Sequence, residues 1–167
     1  MIVIVVIGIL AAIVITTYSG IQAKARNAVR QTDIQAIQTQ LEAYYSQNGH
    51  YPSNADLNSA SWRQTNMPSL DPNALIDPSS GDTVSNVVVA DNSTGQAKEY
   101  SYYPVDSTGS SANCETTDTT CSAYTLTATY EGTVNGQTTY VKQNLDYSQL
   151  SFKLKPLLKS EGFFFFV

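Results

Sequence analysis

The fold turns on the first forty-nine residues, "MIVIVVIGILAAIVITTYSGIQAKARNAVRQTDIQAIQTQLEAYYSQNG" (Met1–Gly49). No charge occurs before Lys24, and Met1–Ile15 is an apolar run. From Ile21 there is no Gly or Pro until Gly49, and Ile34, Ile37, Leu41 and Tyr44 recur at steps of three and four. That spacing draws one apolar stripe along an otherwise polar helix. Asn48-Gly49 is a C-terminal stop, because glycine takes the left-handed conformation that ends a helix without a Cβ penalty. The pattern predicts a single helix from Met1 to about Asn48, apolar in its first third and amphipathic in its last. Gly8, Thr16, Thr17, Ser19 and Gly20 weaken it locally through backbone entropy and β-branching.

The apolar run admits three readings: a signal peptide, a membrane anchor, or a helix whose beginning lies upstream. At about 1.5 Å per residue it spans ~22 Å, short of the ~20 residues that cross a bilayer core. Its nearest basic residues, Lys24, Arg26 and Arg30, follow it, whereas a signal peptide carries them in front. The positive-inside rule would then hold the rest of the chain in the cytoplasm. Both misfits vanish if further apolar residues and a basic leader precede Met1, and that is the expectation. The basic cluster has no acid beside it and suits either a lipid headgroup surface or a solvated helix face.

Downstream, Tyr51 to Gly81 is punctuated by four prolines and reads as loop, with a short helix possible over Ser53–Ala60. Three strand candidates follow: "SNVVVAD" (Ser85–Asp91), "EYSYYPV" (Glu99–Val105) and "AYTLTATYE" (Ala123–Glu131). The last alternates, with Tyr124, Leu126, Ala128 and Tyr130 on one face and threonines on the other. Asn135-Gly136 is a hairpin turn into "TTYVKQNL". A small antiparallel sheet with one apolar face needs a cover, and the striped half of the helix supplies it. The fold class expected is α+β, a long N-terminal helix whose C-terminal half packs on a small antiparallel sheet.

The division is then 1–20, a transmembrane or filament-core helix segment; 21–49, its amphipathic continuation; 50–147, a loop-and-sheet head; and 148–167, a tail of foreign style. That tail, "SFKLKPLLKSEGFFFFV", ends in four consecutive phenylalanines before Val167, an aggregation hazard on a free terminus. It reads as an artefact of read-through, frameshift or cloning, or else as an extension that packs on a partner.

Charge excludes one class of partner. From Gln31 to Phe152 three basic residues stand against thirteen acids, a local balance of −10. Direct nucleic-acid binding needs clustered Lys and Arg at phosphates and is not expected. Only 14% of residues are charged, and the remainder past the apolar run is rich in Ser, Thr, Asn, Gln and Tyr. That composition suits a secreted or surface domain. Cys114 and Cys121 flank "ETTDTT"; in an exported chain they form a disulfide closing an eight-residue loop, and otherwise they are buried thiols. On the chain-entropy model such a loop contributes about 2.5 kcal/mol.

No catalytic constellation appears. The single histidine, His50, follows the helix end in "NGHYP" and reads as a turn residue. Neither a nucleophile elbow, a phosphate-binding glycine loop nor a zinc-protease motif is present. Asp71, Asn73, Asp77 and Asp82 offer oxygen ligands for Ca²⁺, but their spacing fits no recognised loop, and turn-forming or solubilising roles explain them better. Asn92-Ser93-Thr94 matches a glycosylation sequon. The chain is not expected to be an enzyme, and no cofactor is expected.

The run "MIVIVVIGILAAIVI" (Met1–Ile15) and the helix end "LEAYYSQNGHYP" (Leu41–Pro52) resemble type IV pilins and type II secretion pseudopilins. A Tyr-rich sheet and a disulfide-capable loop near the C-terminus add to the likeness, which covers about half the chain. Members of that family carry a basic leader ending in Gly and a segment like F-T-L-I-E-L before such a run. The resemblance therefore implies that Met1 is an internal position of the mature helix. Thr16 stands where many members have Pro, which removes a Pro-directed kink. The resemblance implies a pilus-like filament subunit that sits in the inner membrane before assembly and in an extracellular or periplasmic filament afterwards. Its partners would be copies of itself, minor pilins, an inner-membrane assembly platform and a prepilin peptidase. Ile2, Val5, Gly8, Ile9 and Ile13 would then lie in the membrane or filament core. Ile34, Ile37, Leu41 and Tyr44 would pack on the sheet. The competing readings are a pseudopilin of a type II secretion system and, in a different class, a monomeric secreted binding module cleaved near Ser19-Gly20.

Overall fold

In the computed structural model the described residues are 2–81, 98–114 and 121–145; before Tyr18, only the side chains of residues 3, 5–8 and 10 are described. One helix, α1, runs from Ile2 to Asn48. It stops where the sequence predicts: Gly49 has φ +76°, and its N–H donates to the Tyr45 carbonyl at 2.8 Å. The Asn48 side chain also donates to the Tyr44 carbonyl at 2.9 Å, occupying a second carbonyl that the last turn leaves open.

Two short helices follow, α2 (Asn54–Asn58) and α3 (Ala60–Asn66). The first falls within the expected Ser53–Ala60; the second has no counterpart among the expected elements. Serines start both: Ser53 Oγ accepts from the Asp56 N–H and Ser59 Oγ from the Trp62 N–H. A 3-10 turn at Pro72–Leu75 begins with Pro at its first position and with Asp71 accepting from the Asn73 N–H at 2.9 Å.

The sheet has three antiparallel strands in sequence order, β1 (Tyr100–Asp106), β2 (Cys121–Val134) and β3 (Gln137–Gln143). Its register pairs Tyr102 with Leu126 and Leu126 with Lys142, and Tyr100 with Ala128 and Ala128 with Tyr140. Asn135 and Gly136 both have positive φ, as a two-residue hairpin turn matched to strand twist requires. The pairing of β2 with β3 is irregular between Thr129 and Val134. The expected strand at Ser85–Asp91, Asp82, the sequon at Asn92 and the 148–167 tail lie outside the described residues.

Between α1 and the sheet sits one core. Ile34, Ile37 and Leu41 are wholly buried and Tyr44 nearly so, clustered with Tyr100, Tyr102, Tyr124, Leu126 and Ala128 of the strands. The connecting segment adds Tyr51, Leu57, Met67, Leu70 and Leu75. Five phenol rings share this interior, so their hydroxyls need partners. The Tyr51 and Tyr124 hydroxyls donate to Glu42 at 3.0 and 2.7 Å, Tyr100 to Asp33 at 2.7 Å, and Tyr102 to the Pro52 carbonyl at 2.8 Å. Burial, followed by these carboxylate contacts, raises the pKa values of Tyr100 and Tyr124. Cys114 and Cys121 form a disulfide with Cα atoms 5.6 Å apart, and the Cys121 carbonyl accepts from the Tyr51 N–H at 2.9 Å. That hydrogen bond ties the start of β2 to the chain leaving α1, and the bridge ties it to the residues that follow β1.

Candidate functional site: an apolar helix held by a buried ion cluster

Two parts of α1 behave oppositely. In its first turns Val3, Val5, Val6, Ile7 and Leu10 are 49–68% exposed. At 3.6 residues per turn Val3, Val6, Ile7 and Leu10 share one side of the helix and Val5 lies nearly opposite, so exposed apolar side chains occur on two sides of these turns. Gly8 is exposed as well, and a Cβ placed there would meet nothing within 4 Å. Tyr18 and Ile21, further on, are about 60% exposed. The side chains of Ile2, Ile9 and Ile13 lie outside the described ones. Among the described residues no helix is long and apolar enough to cross a membrane, so a membrane role for residues 1–20 rests on their sequence alone.

Arg26 contacts the head. Its guanidinium pairs with both carboxylate oxygens of Glu131 on β2, Nε to Oε1 at 2.6 Å and Nη2 to Oε2. One residue on, the Asn27 amide pairs with the Glu131 backbone in both directions: Nδ2 donates to the carbonyl at 3.1 Å, and Oδ1 accepts from the N–H at 3.0 Å. A helix side chain thus satisfies strand backbone groups where the β2–β3 ladder is broken.

Arg30 completes the cluster. It is 1% exposed, and it donates through Nε and Nη2 to the two Asp77 oxygens at 2.7 and 2.9 Å. Nη2 also reaches Glu131 Oε1 at 2.9 Å and Ser79 Oγ at 2.7 Å, while Nη1 donates to Asn27 Oδ1 at 2.7 Å. Asp77 is itself buried and accepts further from the Ser79 N–H and hydroxyl. Three distant segments therefore meet on one guanidinium: the helix, the 77–79 loop and residue 131 of β2.

This overturns the sequence reading of Lys24, Arg26 and Arg30 as a cluster without acidic neighbours. Lys24 is exposed, but Arg26 and Arg30 face inward onto acids far along the chain, and neither headgroups nor solvent surround Arg30. Asp77 keeps the turn-forming role read from the sequence, its side chain accepting from the Ser79 N–H at 2.8 Å and its carbonyl from the Ser80 N–H at 3.0 Å, but it is a buried ion-pair partner rather than a solubilising residue. Among the described residues no group of three or more His, Cys, Asp or Glu is placed to hold a metal ion. His50 follows the helix end at Gly49, half-buried, with its ring edge-on to Tyr44 at 5.7 Å.

A signal for the cluster exists in the sequence. The inward stripe at 34, 37, 41 and 44 extends backwards by the same steps to 30 and 27, so Arg30 and Asn27 fall on the buried face. A buried guanidinium needs acceptors, and a carboxylate offsets its desolvation best, which points to a distant acid without identifying it.

Electrostatics give the cluster a pH dependence. The hydrogen bond from Arg26, with Arg30 adding to it, lowers Glu131 from 4.5 to about 2. Burial pushes Asp77 up, but hydrogen bonds from Arg30 and Ser79 outweigh it and hold the carboxyl below its usual value. A carboxylate with a depressed folded-state pKa stabilises the fold above its unfolded pKa and loses that contribution as pH falls through the folded one. Asp33 has the opposite sign: burial raises it despite the Tyr100 bond, so its protonation relieves a cost. The expected net result is a falling urea midpoint between about pH 4.5 and pH 2. In Glu131→Gln that slope should flatten; an unchanged slope would remove Glu131 as its source.

Neither a family model, a curated protein nor a solved structure matches this chain.

Proposed function

We propose that this chain is the structural subunit of a type IV pilus-like filament, assembled through its apolar N-terminal helix. The observation that carries the reading is the split character of α1: apolar and exposed in its first turns, docked on the sheet from Arg26 to Tyr44. A run of exposed apolar side chains on a helix is unfavourable in water and seeks an apolar environment. A membrane supplies one before assembly, and identical helices bundled in a fibre supply one afterwards. Head-to-tail contacts that do not close generate an open helical polymer. The likeness of Met1–Ile15 and Leu41–Pro52 to pilins and pseudopilins supports the same reading. The disulfide-closed loop near the C-terminus favours a pilin over a pseudopilin. Copies of this chain, minor pilins, an assembly platform and a prepilin peptidase are the partners this proposal entails. The inner membrane and then an extracellular or periplasmic filament are its locations.

The test is Val5→Asp and Ile9→Asp in the native host. An aspartate in an apolar helix centre costs about 2.5–3.5 kcal/mol on insertion scales, so each variant should lose filaments by electron microscopy. Val5 is exposed, so the head should keep its unfolding midpoint. Normal filaments in both variants would overturn the proposal. So would a native protein whose N-terminal sequence begins near Ser19-Gly20, as a secreted module requires.

A further inference from the structure

We propose that the outer edge of β3 pairs with the same edge of a second copy of this chain, antiparallel and centred on Tyr140. Among the described residues β3 has a strand on one side only, so its outer edge presents backbone N–H and C=O groups without a ladder. A groove of about 400 Å³ runs beside it, lined by Gly136, Gln137, Thr138, Thr139, Tyr140 and Val141. Gln137, Thr138 and Gln143 are exposed, and Val141 is 45% exposed. The usual protections of an edge are sparse here. The strand contains no proline, and its one charge, Lys142, lies over the Tyr140 ring at 5.6 Å, along the sheet face rather than across the edge.

Charge argues for a second copy as the occupant. The head is acidic, at −10 from Gln31 to Phe152, so two heads repel over most of their surface. Gln137–Gln143 carries no acid and one lysine, which makes it a strip where like-charged copies can approach. A two-fold axis at Tyr140 sets Lys142 opposite Thr138 of the second copy, twice, and never opposite another lysine. The Gln143 carbonyl already accepts from Gln38 of α1 at 2.8 Å, which leaves residues 138 to 142 as the pairing run. Helix α1 lies over β2 and β3. The two helices therefore stand closer than the three strand spacings, about 14 Å, that separate the β2 strands, and they pack side by side as helices do at about 8–10 Å. The result is a continuous six-stranded sheet with both helices on one face.

This contact is independent of the filament reading. A two-fold pairing is isologous and closes on itself, whereas a polar fibre repeats heterologous contacts. The test uses the full chain in detergent micelles, which sequester the apolar helix, with dimerisation followed by sedimentation velocity. Thr138→Lys places like charges opposite Lys142 of the second copy at two symmetric positions, and Thr138→Glu places opposite charges there. The dimer dissociation constant should rise in the first and fall in the second, each by roughly 2- to 30-fold. Combining Thr138→Lys with Lys142→Glu restores opposite charges at both positions and should lower it below the wild-type value, as Thr138→Glu does. Absence of a dimer, or a dimer indifferent to the charge at 138, overturns the proposal.

Discussion

Replacing Arg30 by Met is expected to lower the unfolding free energy by about 3–5 kcal/mol, measured by urea denaturation followed through Trp62 fluorescence. The methionine fills much of the same volume, so the loss is electrostatic rather than steric. It strands the Asp77 carboxylate, whose side chain is fully buried and pairs with that guanidinium at 2.7 Å. It also leaves Asn27 and Glu131 without one donor each. The cost is that of an uncompensated buried charge, which exceeds the net worth of an intact pair. For the same reason Arg30→Met combined with Asp77→Leu should recover much of the loss. Arg30→Lys should recover little, because a single ammonium cannot replace a planar fork that addresses Asp77, Ser79, Glu131 and Asn27 together. A loss below about 1 kcal/mol in Arg30→Met, the range of an exposed pair, would show that the cluster does not hold the helix to the head.

Leu41→Ala is expected to cost about 2–5 kcal/mol by the same assay. Leu41 is fully buried in the core between α1 and the sheet. Truncation removes its transfer energy and leaves a cavity that ring-bearing neighbours such as Tyr44 and Tyr51 are poorly shaped to fill. Arg30 and Leu41 are eleven residues apart, about 16 Å along the helix axis, so their effects should add. A domain typically holds about 5–15 kcal/mol in all, and the double variant should therefore be close to unfolded at 25 °C. Val5→Ala, on the exposed part of the same helix, should leave the midpoint unchanged.

The elements visible in advance are those specified by short-range pattern. The stripe Ile34, Ile37, Leu41 and Tyr44 names its own buried face, and the Tyr124–Tyr130 alternation names the face that meets it. Asn135-Gly136 marks its turn because few other residue pairs accept two positive φ values. The short helix α3 escaped this reading. Ser59 signals its start, but its seven residues, followed closely by Pro68, are too few for a periodic apolar pattern to develop. The ion cluster escaped it for a different reason. Asp77 and Glu131 lie 47 and 101 residues beyond Arg30, and sequence proximity carries no information about such pairs.

The sequence by itself determined the long helix and its end, the antiparallel hairpin, the faces that pack and the absence of a familiar catalytic motif. Each follows from steric and hydrophobic preferences that act within a few residues. Only the tertiary structure decided that Arg26, Asn27 and Arg30 lock the helix to the 77–79 loop and to residue 131, leaving the apolar turns before them exposed. The helical stripe places Arg30 on the buried face, but nothing near it in sequence identifies the distant carboxylates that it meets. Folding the chain back on itself removes water from Arg30 and brings Asp77 within 2.7 Å. Burial turns an ordinary surface residue type into the point where helix and head are joined.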